Sequence, residues 1–146
     1  MRKIVVAGGQ LGPISRNEPK ASAVNRMIAL MDQAASRGAQ LIVFPELALT
    51  TFFPRWWADN KTDFDHMFER EMPSKDVLPL FEASKKLNIA FHLGYAELTP
   101  DGDRYNTAIM VNNFGEIIGK YRKIHLPGHS DNQEWRPFQH LEKYYF

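Results

Sequence analysis

Apolar residues are spaced along the chain in two ways. Lys3 to Ala7 (KIVVA) is a compact β-branched run halted by Gly8 and Gly9, the pattern of a buried strand. Val24, Met27, Ile28, Met31 and Ala35 then recur at helical spacing until Gly38, so one apolar helix face is predicted, with Asn17 as N-cap and Glu18 and Pro19 in the first turn. Gln40 to Phe44 is the second predicted strand, closed by Pro45, which cannot donate to a ladder. TTFFPRWWADN has no period and is predicted to be a loop. Thr62 to Glu71 is predicted as a short helix and Asp76 to Leu87 as a longer one, with Pro79 tolerated near its start. IAFHLGYAEL, RYNTAIMVN and EIIGKYRK, separated by PDGD and NNFG, form an array of three strands. The first two are apolar on both alternating faces, so the sheet requires cover on both sides.

Two helices suffice for one face, and nothing left in the sequence serves the other. From Ile124 onward the chain is rich in aromatic and histidine residues without periodicity, then stops at Phe146. The expectation is a chain cut short, its second layered half missing or supplied by another polypeptide. Its length is that of one ordinary domain, and 44% apolar residues supply a real core.

Charge narrows the partners. Lys and Arg total 18 against 17 Asp and Glu, and no long run of one sign occurs, so neither nucleic acid nor an anionic membrane is supported as a partner. The amino-terminal apolar run is far below the roughly 18 residues of a membrane span, and a soluble cytoplasmic protein is the simplest expectation. There is no cysteine, hence no disulfide or thiolate metal site within these residues.

Glu46 follows the second strand in LIVFPELALT. It is either an ordinary loop carboxylate or, flanked by Phe44, Leu47 and the aromatic loop, a carboxylate whose lost hydration raises its pKa toward that of a general base. Lys123, in KYRKIHLPG, is either a solvated strand end or, if its strand lies near the one ending at Glu46, a cation for a developing oxyanion. His125, His129 and His140 lie within sixteen residues, but Pro127 and Gly128 break any helix that would align the first two, so structural or pocket histidines are expected rather than a metal site. Gly8, Gly9 and Gly12 lack the GxGxxG spacing and belong to a turn. The aromatics from Phe52 to Trp57 fit core packing or an interface as well as they fit a substrate pocket.

With FPELALTTFFPRW, GYAEL, YNTAI, KYRKIHLPG and RPFQHLEKYYF in order, the sequence resembles the nitrilase superfamily of carbon–nitrogen hydrolases, most closely its N-carbamoyl-D-amino acid amidohydrolase branch. The resemblance covers essentially all 146 residues as the amino-terminal part of a single hydrolase domain. It implies an α+β fold, the αββα sandwich, present only as its amino-terminal half, and a Glu, Lys and Cys triad at strand ends. Glu46 matches the catalytic glutamate, Lys123 the catalytic lysine and Glu142 a second glutamate that supports the site. His125 and His140 match histidines that shape the substrate pocket. The resemblance implies hydrolysis of the ureido C–N bond without metal or cofactor, a small carbamoyl amino acid or amide as substrate, and a homo-oligomer.

The nucleophilic cysteine and the arginines expected for the substrate carboxylate would lie beyond the matched segment, so the chain alone is expected to be inactive. Two other readings share these residues: a different branch, such as an aliphatic amidase or β-ureidopropionase, and a catalytically dead scaffold that associates through its open sheet face.

Overall fold

The computed structural model describes residues 3–136 and 139–146. Five strands form one mixed sheet in sequence order: β1 (Val6–Gly8), β2 (Leu41–Val43), β3 (Ala90–Leu98), β4 (Arg104–Val111) and β5 (Ile117–Arg122). β1, β2 and β3 run parallel, joined by crossovers that contain α1 (Lys20–Ser36) and α2 (Leu78–Leu87), and β3, β4 and β5 form an antiparallel meander. This is the mixed α+β arrangement expected, with the three later strands placed almost to the residue.

Register assigns the two faces. Ile42, Phe91 and Val111 stand side by side, as do Leu93 and Ile109, and these point toward the helices. Val24, Met27 and Met31 of α1 and Leu80 and Phe81 of α2 close over them. Each fully buried aliphatic or methionine side chain there contributes about 1.5–3 kcal/mol. On the opposite face lie Val6, Val43, His92, Gly94, Ala108 and Tyr121. Val6, Val43 and Tyr121 remain 51%, 38% and 55% exposed, so this apolar face is open over much of its width.

A second core covers the far end of that face. Phe53 packs against Phe64, Phe68, Tyr145 and Phe146, with Leu47, Ala96 and Leu98 beneath. The aromatic loop is therefore largely core, with Phe53 and Pro54 buried in a single 3₁₀ turn.

Several local expectations are corrected. α1 starts at Lys20, with Pro19 in the cap position and no side-chain cap; Asn17 does not serve, because the residue before a proline is disfavoured in the helical region. Glu18 instead accepts hydrogen bonds from Ser15 N and Ser22 Oγ. The segment from Thr62 to Glu71 is not an α-helix but a 3₁₀ helix over Lys61–Met67. Beyond it Glu69 forms an isolated bridge to the end of β3, its N–H donating to Ala96 O and its carbonyl accepting from Leu98 N. The strand expected over Lys3 to Ala7 is shorter and later, Val6–Gly8. Of the RPFQHLEKYYF block, Pro137 and Phe138 lie outside the described residues. No helix is long and apolar enough to cross a membrane among the described residues.

Candidate active site

β2 ends at Val43 because Pro45 follows, and the chain then crosses the middle of β3 as a strap. Phe44 N donates to His92 O at 3.1 Å and Ala48 N to Gly94 O at 2.9 Å. Between these anchors a Cβ on Gly94 would stand 3.1 Å from Glu46 Cα and 3.3 Å from Leu47 N, so a side chain there would push the strap away. Leu47, buried, adopts a left-handed φ of 51°, rare for a branched residue and held by the packing around it. The backbone thus fixes where Glu46 stands.

Lys123 comes one residue after β5, its N–H given to Asn106 O in β4 at 2.8 Å. Its Nζ donates to Glu46 Oε1 at 2.9 Å and to Glu142 Oε2 at 2.9 Å. Asn106 Nδ2 donates to the same two oxygens, closely to Glu46 and at 3.3 Å to Glu142. One ammonium and one carboxamide hold two carboxylates together, with both donors on Glu46 taken by Oε1. Burial works against the charge of Lys123, but its hydrogen bonds to Glu46 and Glu142 and the attraction of both carboxylates outweigh it, holding its pKa above the usual lysine value. Lys123 is therefore a cation through the neutral range.

Glu142 reaches this cluster from the tail. It opens a single helical turn, α3 (Glu142–Tyr145), whose position is set by the aromatic core. Leu141 N donates to Pro54 O at 2.8 Å, and the Tyr145 and Tyr144 hydroxyls donate to Trp56 O and Ala58 O at 2.7 Å. Gly128, with φ of 87°, lies so close to His140 O that no Cβ fits, and His129 N donates to that oxygen at 2.7 Å, closing the intervening loop.

The five candidate residues are thus placed in different ways. Glu46, Lys123 and Glu142 converge, Glu142 with its side chain 1% exposed and Glu46 with 45%. The apolar enclosure expected around Glu46 is not provided by the described residues, because the sheet face beside it is open. His125 lines a recess of about 420 Å³ together with Glu46, Lys123, Asn106 and Tyr121. His140 does not line it: its ring meets Phe52 edge-on, and Nδ1 stands 3.8 Å from Glu142 Oε1. A recess of similar volume, about 430 Å³, beside the start of α1 contains none of these residues.

Sequence reasoning missed Asn106, His92 and Tyr121. The signal for Asn106 was its alternation: in YNTAI it shares a face with Ala108, a polar side chain on a face otherwise built to be covered.

The sequence profile of the carbon–nitrogen hydrolases matches residues 5–146. The chain belongs to the carbon–nitrogen hydrolase family. It is 31% identical over 138 residues to a nitrilase of Meyerozyma guilliermondii, covering 91% of this chain and 42% of that protein. It is also 31% identical over 148 residues to a citrullinase of Francisella tularensis, covering 100% of this chain and 46% of that one. Among solved structures, a carbon–nitrogen hydrolase from Helicobacter pylori superposes with a TM-score of 0.73 at 22% identity, over 98% of this chain and 44% of that one; this likeness establishes the fold. The carbon–nitrogen hydrolase chain described here therefore spans less than half the length of these relatives.

Proposed function

We propose that this chain contributes the acid–base and electrostatic half of a thiol-dependent active site that hydrolyses the ureido C–N bond of N-carbamoyl-D-amino acids. The observation that carries the reading is Lys123 Nζ seated 2.9 Å from both Glu46 and Glu142 at the edge of an open recess. A lysine so placed supplies fixed positive charge beside an exposed carboxylate, the pair that acyl transfer requires.

In this reading Glu46 takes the proton of a cysteine contributed by polypeptide outside these 146 residues, and the thiolate attacks the ureido carbonyl carbon. Lys123 and a backbone amide stabilise the oxyanion as the tetrahedral centre forms. Glu46 then protonates the leaving amine and deprotonates the water that releases the acyl group from sulfur. The products are the free amino acid, carbon dioxide and ammonia. Glu142, buried behind Lys123, holds the ammonium in place and keeps it charged.

The ureido choice draws on the whole set of sequence blocks and on the citrullinase among the relatives, because citrulline carries the same terminal functional group. The nitrilase relative favours a second reading within the family, a nitrile or simple amide as substrate. Turnover by the full-length protein on N-carbamoyl-D-amino acids, their L forms, aliphatic amides and nitriles separates the two. Preferential release of D-amino acids from the carbamoyl compounds is expected. Turnover confined to amides or nitriles would discard the ureido assignment, and no C–N cleavage at all would discard the hydrolase. A homo-oligomer is the expected assembly, checked by sedimentation of the full-length protein.

A further inference from the structure

Asn106 in β4 is buried, and it holds two parts of the site at once. Its carbonyl accepts from Lys123 N at 2.8 Å, which fixes where the lysine leaves the sheet. Its Nδ2 donates to Glu46 Oε1 and, at 3.3 Å, to Glu142 Oε2. Those are the same two oxygens that accept from Lys123 Nζ at 2.9 Å. Asn106, Glu46, Lys123 and Glu142 thus close a ring in which donors and acceptors alternate.

The ring decides two orientations. A carboxamide carries two hydrogens on nitrogen and none on oxygen, so only Nδ2 can face two carboxylates; the reversed amide would set Oδ1 against both. A carboxylate oxygen offers about two acceptor positions, and on Glu46 Oε1 both are taken. The oxygen left to receive a proton is Oε2.

We propose that Asn106 is a positioning residue that turns the Glu46 carboxylate so that Oε2 is the atom that takes and returns the proton. The assignment rests on the thiol-dependent reading above and extends it to a named oxygen. In the first step the S–H bond of the cysteine breaks, its electron pair stays on sulfur, and an O–H bond forms at Oε2. The last torsion of a glutamate side chain is soft, and one donor leaves it so. A second donor on the same oxygen, from a different direction, removes that freedom before the substrate arrives.

The test uses full-length wild type, Asn106→Leu and Asn106→Asp, each checked for folding by its unfolding midpoint. Leucine matches the size and removes the donor; aspartate matches the shape and replaces the donor with a third anion. On whichever C–N substrate wild type turns over, kcat should fall about ten- to a hundredfold in Asn106→Leu with little change in KM. The acid limb of kcat/KM should move up by about one pH unit, because a hydrogen bond to the ionised base is gone, and further in Asn106→Asp. Lys123, Glu142, His92, Tyr121 and His125 also surround Glu46, but they are common to all three proteins, so the movement belongs to position 106. A profile lowered throughout with its limb unmoved is a structural loss and would overturn the assignment. Crystal structures of full-length wild type and Asn106→Leu give a readout that does not need turnover. The Glu46 carboxylate should be turned in the variant relative to wild type, and an unturned carboxylate would overturn the assignment. Asn106→Ser, which only shortens the side chain, is read in the same way where leucine prevents folding. If wild type cleaves no C–N bond, the proposed function falls while the two structures still decide Asn106.

Discussion

Lys123 joins two carboxylates in very different surroundings, and removing each group separately should expose the difference. The Glu46 side chain is 45% exposed, that of Glu142 1%, and that of Lys123 28%. Glu46→Gln breaks a pair that water already screens, so its stability cost should be at most about 1 kcal/mol. Lys123→Met leaves the Glu142 carboxylate buried with only Asn106 as a donor from this cluster. Breaking a buried pair costs about 3–5 kcal/mol, and partial exposure of the lysine lowers the expectation here to about 2–4 kcal/mol. Adding Glu142→Gln to Lys123→Met removes the stranded charge, and the pair of substitutions should cost less than their sum by about 1 kcal/mol or more. Urea denaturation of the full-length variants, compared by midpoint at constant slope, measures these differences. Equal destabilisation by Glu46→Gln and Lys123→Met, or strict additivity of Lys123→Met and Glu142→Gln, would refute the claim that Glu142 is the buried anchor of the site.

Three further outcomes follow from the geometry. Burial opposes the charge on Glu97, yet hydrogen bonds from Arg122, Lys120 and Thr107 more than offset it and bring its pKa down to about 2; its stabilisation is therefore present above the ordinary value near 4.5 and lost as pH falls through about 2. The stability gap between wild type and Glu97→Gln should accordingly narrow between those pH values, and a gap that is constant with pH would contradict the assignment. Gly94→Ala should displace the Glu46 strap by a few tenths of an ångström and lower kcat/KM about tenfold, with a destabilisation of about 1–3 kcal/mol; unaltered kinetics would show that the strap is not held there. The isolated 146-residue chain should show no turnover and should self-associate through the face bearing Val6, Val43 and Tyr121, whereas an active or monodisperse monomer in sedimentation would count against this reading.

Much of this arrangement was legible in the sequence because it is local. Pro45 marks the end of β2, so Glu46 had to stand at a strand's carboxyl edge, and PDGD and NNFG delimit the meander. What the sequence concealed is pairing across distance. Glu46 and Lys123 are 77 residues apart, and their contact exists because parallel β2 and β3 and the antiparallel return to β5 bring both ends to one corner. Asn106 was passed over because an asparagine within a strand carries no local mark of a partner 60 residues earlier. For the aromatic loop, core, interface and pocket lining fitted equally well, because nothing in FFPRWW reveals that Tyr144, Tyr145 and Phe146 return to pack on it. The helix expected from Thr62 was overridden when Glu69 joined the end of β3 through backbone hydrogen bonds. The enclosure of Glu46 was argued from its neighbours in sequence, whereas its exposure is set by the face of the sheet on which it stands.

The most direct measurement is the rate of C–N cleavage by full-length Glu46→Gln beside wild type, with both proteins checked for equal folding. The substituted carboxamide retains the shape of the side chain and an oxygen that accepts from Asn106 and Lys123, but it takes up no proton, so kcat should fall about 10²–10⁴-fold with little change in unfolding midpoint. A variant that turns over within a few-fold of wild type would show that the carboxylate beside Lys123 is not the acid and base of this site.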